Sequence, residues 1–239
     1  MAYAWCSGLV HGEHLRCLWC LRCNSHQLGA RRAFCLTGLI ALVLACVSAT
    51  AAADEPGFES LFDGKSLAGW QANENPVSWQ VVDGAIVCHG PRSHLFYVGS
   101  DAAKPADYKN FHFKADVMTK PNANSGIFFH TRFQPEGWPA AGYELQVNNS
   151  QKDPVRTGSI YNVVKNFIPP AADNQWFTEE VMVNGKAVTV LVDGKVLFEF
   201  VEPEGVAGTR RLSNGTFALQ AHDPGSEVLY KNIRVKRLP

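Results

Sequence analysis

Beyond position 46 the chain is nearly without cysteine. Six of its seven cysteines lie at or before Cys46, and Cys88 stands alone after it. A lone cysteine cannot staple a domain internally, so the later residues must hold together through their own core. An excess of charge of one sign is missing too, with 22 basic and 22 acidic residues. Four of the basic residues (Arg16, Arg22, Arg31, Arg32) and one acid (Glu13) precede position 54, leaving 18 against 21, a net charge of −3. That balance gives no footprint for phosphate backbones, and nucleic acid is not an expected partner. The apolar run at 34–45 falls short of the ~20 residues a membrane span needs. No segment of helical length carries a capped 3.6-residue apolar period, which excludes helical bundles and βαβ architectures.

What is present at the N-terminus reads as an export signal over 31–53. Arg31 and Arg32 form a positive start, 34–45 an apolar middle, and Ala51-Ala52-Ala53 a small-residue cleavage site before Asp54. Arg31-Arg32-Ala33-Phe34 resembles a twin-arginine signal, and Val43-Leu44-Ala45-Cys46 resembles a lipoprotein box that would leave a lipid anchor on Cys46. Simple cleavage near Ala53 is the favoured reading. Cys17, Cys20, Cys23 and His26 have spacing compatible with zinc, but residues 1–30 read better as an overextended translation start or a segment lost with the signal. The expected organisation is therefore an extension and export signal over 1–53 and one domain over 54–239, exported to the periplasm or beyond.

That domain is punctuated by hairpin turns. Asp83-Gly84, Asn184-Gly185 and Asp193-Gly194 each separate short β-prone runs, and such pairs favour positive φ at both central turn residues. The last two predict a three-stranded meander over 181–200. Further strands are expected at 79–82, 85–88, 111–119, 126–132, 143–148, 158–163, 216–222 and 228–235, with loops at 121–124 and 169–174. Phe111, Phe113, Ala115 and Val117 alternate with His112, Lys114, Asp116 and Met118, one face inward and the other largely wet. Many short strands without helices predict an all-β sandwich of two antiparallel sheets about 10 Å apart.

Period-two geometry also sorts the polar residues. His130 and Arg132 share one face of their strand, Glu144 and Gln146 one face of theirs, and Gln220 and His222 one face of a third. Each face lies opposite residues suited to the core. Taken singly, these are ordinary solvated faces, and Arg132 need do no more than pair with a nearby acid. Their coincidence on three strands, with Asn124 and Tyr161 at the strand ends, points to one patch able to grip sugar hydroxyls in fixed directions.

The ordered series of motifs resembles the 3-keto-disaccharide hydrolase domain family. It opens with 58–70 (FESLFDGKSLAGW) and continues through Trp79-Gln80-Val81-Val82-Asp83-Gly84, 124–129 (NSGIFF), Gly142-Tyr143-Glu144-Leu145-Gln146 and Thr157-Gly158-Ser159-Ile160-Tyr161. Gly215, Leu219-Gln220-Ala221-His222 and Tyr230-Lys231-Asn232-Ile233 complete it, so the resemblance spans 58–238. It implies a concanavalin-like jelly roll, in agreement with the strand reading. The chain departs from the family at His130, where members often carry arginine, and at Phe177, often asparagine.

The chemistry that this resemblance implies is lighter than ordinary glycoside cleavage, which sets two carboxylates across the scissile bond. Here the motif strand offers Glu144 followed by Gln146, while Asp116, Glu179 and Glu180 fall outside the polar faces. In a 3-keto sugar the ketone acidifies the C2 proton, so one base can form an enolate that expels the C1 substituent, and water can then add. Either His222 or Glu144 is expected as the base, and His130 or Arg132 as the enolate stabiliser. Asn124, Gln146, Tyr161 and Gln220 would orient hydroxyls. A divalent metal held by His130, Glu144 and His222 is an alternative stabiliser, although no short metal signature is present. The rival reading is a non-catalytic carbohydrate-binding module in which Trp138 stacks on a sugar ring. A third reading, a surface adhesion domain, would need the Cys46 anchor.

Overall fold

The computed structural model describes residues 55–99 and 106–239. The export signal, the Cys46 box and the Cys17, Cys20, Cys23 and His26 set lie outside the described residues. Thirteen strands follow in chain order: β1 (Glu59–Ser60), β2 (Trp70–Ala72), β3 (Trp79–Val82), β4 (Ala85–His89), β5 (Ser93–Tyr97), β6 (Phe111–Thr119), β7 (Ser125–Thr131), β8 (Tyr143–Val147), β9 (Phe177–Asn184), β10 (Ala187–Val192), β11 (Lys195–Val201), β12 (Thr216–Ala221) and β13 (Glu227–Arg237). The helical element among the described residues is one 3-10 turn, Pro76–Ser78.

The strands form two antiparallel sheets, the jelly-roll sandwich expected. The larger runs β11-β10-β9-β6-β13-β4-β3 with β1 paired to β13, and the smaller runs β2-β5-β12-β7-β8. The meander of β9, β10 and β11 forms as its turns require. At Asp83-Gly84 and Asp193-Gly194 both residues have positive φ. At the remaining turn, Asn184 pairs with Ala187, so Gly185 and Lys186 are the central residues and Gly185 alone needs positive φ.

Between the sheets lies one aromatic-rich core. Strand β6 alternates as read, with Phe111, Phe113, Ala115 and Val117 fully buried. They meet Ile127, Phe129, Leu145, Phe217 and Leu219 of the smaller sheet in the same cluster. Cys88 is buried here, and burial pushes its thiol up to about 12, which leaves it unreactive. Glu179 also points inward. Burial holds its carboxyl well above the usual range, and it accepts a hydrogen bond from the Gly158 amide at 2.9 Å. This buried acid thus fastens the segment after β8 to the larger sheet.

Several elements differ from the sequence reading. The run 158–163 is a chain of turns rather than a strand, because Gly158 and Asn162 adopt positive φ. It still bonds to the edge of β8, with Tyr161 N donating to Glu144 O at 2.9 Å and Gly158 N to Gln146 O at 3.0 Å. Strands β1 and β2, two and three residues long, were not foreseen, and neither was β5. All five of its residues are buried, so it carries no alternation to read.

Candidate functional site

Strands β12, β7 and β8 are neighbours in the smaller sheet, and the polar faces of β12 and β8 assemble across β7. Tyr143, Leu145 and Val147 of β8 enter the core, while Glu144 and Gln146 point outward. Yet this outer face is not wet. Glu144 is 7% exposed, Gln146 2%, Gln220 1% and Asn124 4%. The loops that supply Trp138 and Pro139, Asp153 and Tyr161, and Arg210 rise around the face and turn it into a cleft of about 580 Å³. Buried polar groups are costly without partners, so a sheet face lined with them is built for something other than solvation.

The groups on the cleft floor hold one another in place. Gln220 Nε2 donates to Glu144 Oε1 at 2.8 Å, and Gln146 Nε2 to Asn124 Oδ1 at 3.0 Å. Gly126 of β7, between Glu144 and Gln220, has no side chain to keep them apart. Burial pushes the Glu144 carboxyl up to about 7, against the lowering pull of the Gln220 hydrogen bond and the Arg210 charge. A carboxyl in that range exchanges protons near neutrality.

His222 lines the cleft at the end of β12, and its Nδ1 meets Asp223 Oδ2 at 2.6 Å. Burial alone would raise the Asp223 carboxyl. The hydrogen bond from His222, with those from the Gly225 amide and the Ser226 hydroxyl, outweighs it and keeps Asp223 ionised. An ionised partner fixes the proton on Nδ1 and leaves Nε2 free to accept another. Arg210 brings a cation to the same cleft, its guanidinium 5.7 Å from the Phe128 ring centroid and donating to Pro139 O at 3.0 Å. Opposite, Tyr161 donates to Asp153 Oδ2 at 3.2 Å, and burial together with Asp153 raises the phenol.

Seven of the expected residues are therefore brought together: Asn124, Trp138, Glu144, Gln146, Tyr161, Gln220 and His222. His130 and Arg132 are not, and the enolate-stabilising role expected of them is corrected. Thr216 pairs with Thr131 and Phe217 with Phe129, so His130 is the extra residue of a β-bulge, at φ 56°. The bulge breaks the period-two rule and turns the ring inward. There it packs 5.4 Å from Phe111, donates from Nε2 to Lys109 O at 2.9 Å and accepts from Ser213 N at 3.1 Å. Arg132 is exposed beyond the strand end and lines no part of the cleft. With His130 elsewhere, the proposed trio of metal ligands is not assembled. Among the described residues no group of three His, Cys, Asp or Glu side chains is placed to hold a metal ion.

Arg210, Asp153, Asp223 and Gly126 were missed in the sequence. Only Asp223 had a visible signal, its position next to His222. Arg210 and Asp153 come from loops with no strand pattern to orient them.

Comparison with known proteins bears on the family and the fold. The family model for the 3-keto-alpha-glucoside-1,2-lyase-like domain matches residues 57–236. A 3-keto-disaccharide hydrolase of Bacteroides thetaiotaomicron is 24% identical over 234 residues, covering 77% of this chain and 80% of its own. The crystal structure of a candidate glycosyl hydrolase from Parabacteroides distasonis aligns at 26% identity and a TM-score of 0.64, covering 77% of this chain and 94% of that one. A carbohydrate-binding module, CBM66 from Bacillus subtilis, shares the fold alone, at 12% identity and a TM-score of 0.52 over 71% of this chain and 96% of that one.

Proposed function

The chain belongs to the 3-keto-alpha-glucoside-1,2-lyase-like domain family, and we propose that it cleaves 3-keto-glycosides by removing the C2 proton and expelling the C1 substituent. The observation that carries this is one cleft faced by a carboxyl near 7, Glu144, and by an imidazole backed by a carboxylate, His222 with Asp223.

Each group has one task. His222 Nε2 takes the proton from C2, and the C–H electron pair forms the C2–C3 double bond as the ketone becomes an enolate. Asp223 stabilises the imidazolium that results. Arg210 faces the enolate oxygen, in a site where a fixed cation acts with little screening. The enolate then collapses to the C1–C2 enone, and Glu144, protonated, gives its proton to the departing oxygen. The carboxylate left behind can draw a proton from a water that adds to C1, while His222 returns its proton to C2. That sequence is net hydrolysis; release of the enone first is lyase activity. Asn124, Gln146, Gln220 and Tyr161 orient ring hydroxyls, and Trp138 offers its indole to a sugar face.

The export-like stretch before residue 54 favours work in the periplasm or outside the cell. The test is incubation with a 3-keto-glucoside and its unoxidised parent in deuterated water. Aglycone release from the keto form alone, with deuterium at C2, is the expected result. Cleavage of the parent would establish a conventional glycosidase instead. Glycan binding without turnover would leave a carbohydrate-binding module, a reading that the exposed indole of Trp138 favours.

A further inference from the structure

His94 of β5 is the antiparallel partner of Gln220 on β12, so its imidazole shares the outer face of the smaller sheet with the cleft floor. It is fully buried, and neither ring nitrogen has a hydrogen-bond partner in the protein. Beside it, Gln220 commits Nε2 to Glu144 while its Oε1 is buried and unpartnered as well. Two adjacent polar groups with unmet hydrogen bonds are rare in a folded interior, and each calls for an explanation.

Trp138 separates His94 from the cleft that Gln220 lines. Its indole lies 5.2 Å from the His94 ring and 5.5 Å from the His222 ring, and it lines the cleft whereas His94 does not. Arg92 approaches the same indole at 5.5 Å, and Phe128 closes the other side of His94 at 5.4 Å. Trp138 itself is 44% exposed and follows Gly137, whose φ is 77°.

We infer that His94 and Gln220 form a hydroxyl-reading floor of the sugar site, covered by Trp138, which a substrate hydroxyl enters as the indole tilts aside. The chemistry is complementary. Burial lowers the His94 ring to about 3, so it stays neutral with one N–H donor and one acceptor. A sugar hydroxyl can donate to Gln220 Oε1 and accept from the His94 N–H, meeting two of the three unpartnered atoms at once. A residue there only to fill space would be better as phenylalanine, which carries no polar atoms to strand.

This inference rests on the proposed sugar site, and the experiment separates the two. Wild type and His94→Phe are compared for melting temperature, for kcat and KM on the 3-keto-glucoside, and for calorimetric affinity towards the unoxidised parent and its monodeoxy analogues. Phenylalanine should melt at or above the wild-type temperature and raise KM about tenfold or more, with kcat within about threefold. One deoxy position should weaken binding to wild type by a similar factor and leave binding to the variant unchanged. An active wild type with the same KM in His94→Phe, or no deoxy position that distinguishes the proteins, overturns the inference alone. A wild type that neither binds nor cleaves these sugars overturns the proposed function and this inference together. Should His94→Phe fail to fold, the deoxy series on wild type decides, since equal affinity at every position overturns the floor.

Discussion

Glu144 lies across β7 at Gly126. A Cβ on Gly126 would fall 2.6 Å from Glu144 Oε1, 3.0 Å from its Cγ and 3.2 Å from its Cδ. The hydrogen bond from Gln220 on β12 to Glu144 on β8 therefore exists because the strand between them carries no side chain at that position.

Gly126→Ala should consequently separate activity from stability. What must move is the end of a flexible side chain, so the fold survives and the melting temperature changes by only a few degrees. The carboxyl leaves its place beside Gln220, and displacement of about 1 Å costs about a hundredfold in kcat. Thermal melting beside steady-state kinetics checks this. A variant of unchanged kcat would show that Glu144 does not act from the observed position.

This pairing also shows how far the sequence reaches. Glu144, Gln146 and Gln220 were placed on one patch because alternation is reliable within a regular strand, and β8 and β12 are regular. The same rule misplaced His130, because one extra residue in β7 reverses every later side chain and nothing in Phe128-Phe129-His130-Thr131 announces it. Arg210 and Asp153 reach the cleft from loops, where tertiary bonds such as Arg210 to Pro139 O set direction and local pattern does not. Strand β5 was hidden for the opposite reason. Its inner side meets the core while His94 is shut beneath Trp138, so both faces are buried and no alternation results.

Asp223→Asn should lower kcat by about 10²–10⁴, the range seen when a histidine loses an orienting carboxylate, with little change in KM. The amide still reaches His222, but it can offer an N–H to Nδ1 and so favour the tautomer with the proton on Nε2, the wrong nitrogen for a base. Ring-nitrogen chemical shifts of His222 report the tautomer directly. A variant with the wild-type tautomer and rate would remove Asp223 from the mechanism.

Arg210→Met keeps much of the aliphatic stem and removes the guanidinium that lies over Phe128. Loss of a fixed cation facing a developing oxyanion should cost about 10²–10³ in kcat. Exchange of the C2 proton with deuterated solvent should slow by a comparable factor, because the enolate is the species destabilised. If exchange stays fast while aglycone release slows, Arg210 serves the leaving group instead.

Glu144 makes a pH prediction whose sign follows from its burial. The carboxyl titrates near its usual value of 4.5 in the unfolded chain and near about 7 in the folded one. Below pH 4.5 it is protonated in both states and contributes no difference. Between 4.5 and 7 the unfolded chain releases its proton while the folded chain keeps it, so stability falls as pH rises. Above about 7 the loss levels off at about 3 kcal/mol. Glu144→Gln keeps the acceptor for Gln220 and cannot ionise, so its stability should track wild type at pH 4 and exceed it by about that amount at pH 8. Catalysis adds an independent check. With Glu144 as the acid that protonates the leaving oxygen, kcat/KM falls as pH rises through about 7. A rate that instead climbs through about 7 would exchange the roles, making Glu144 the base at C2 and His222 the donor to the leaving group.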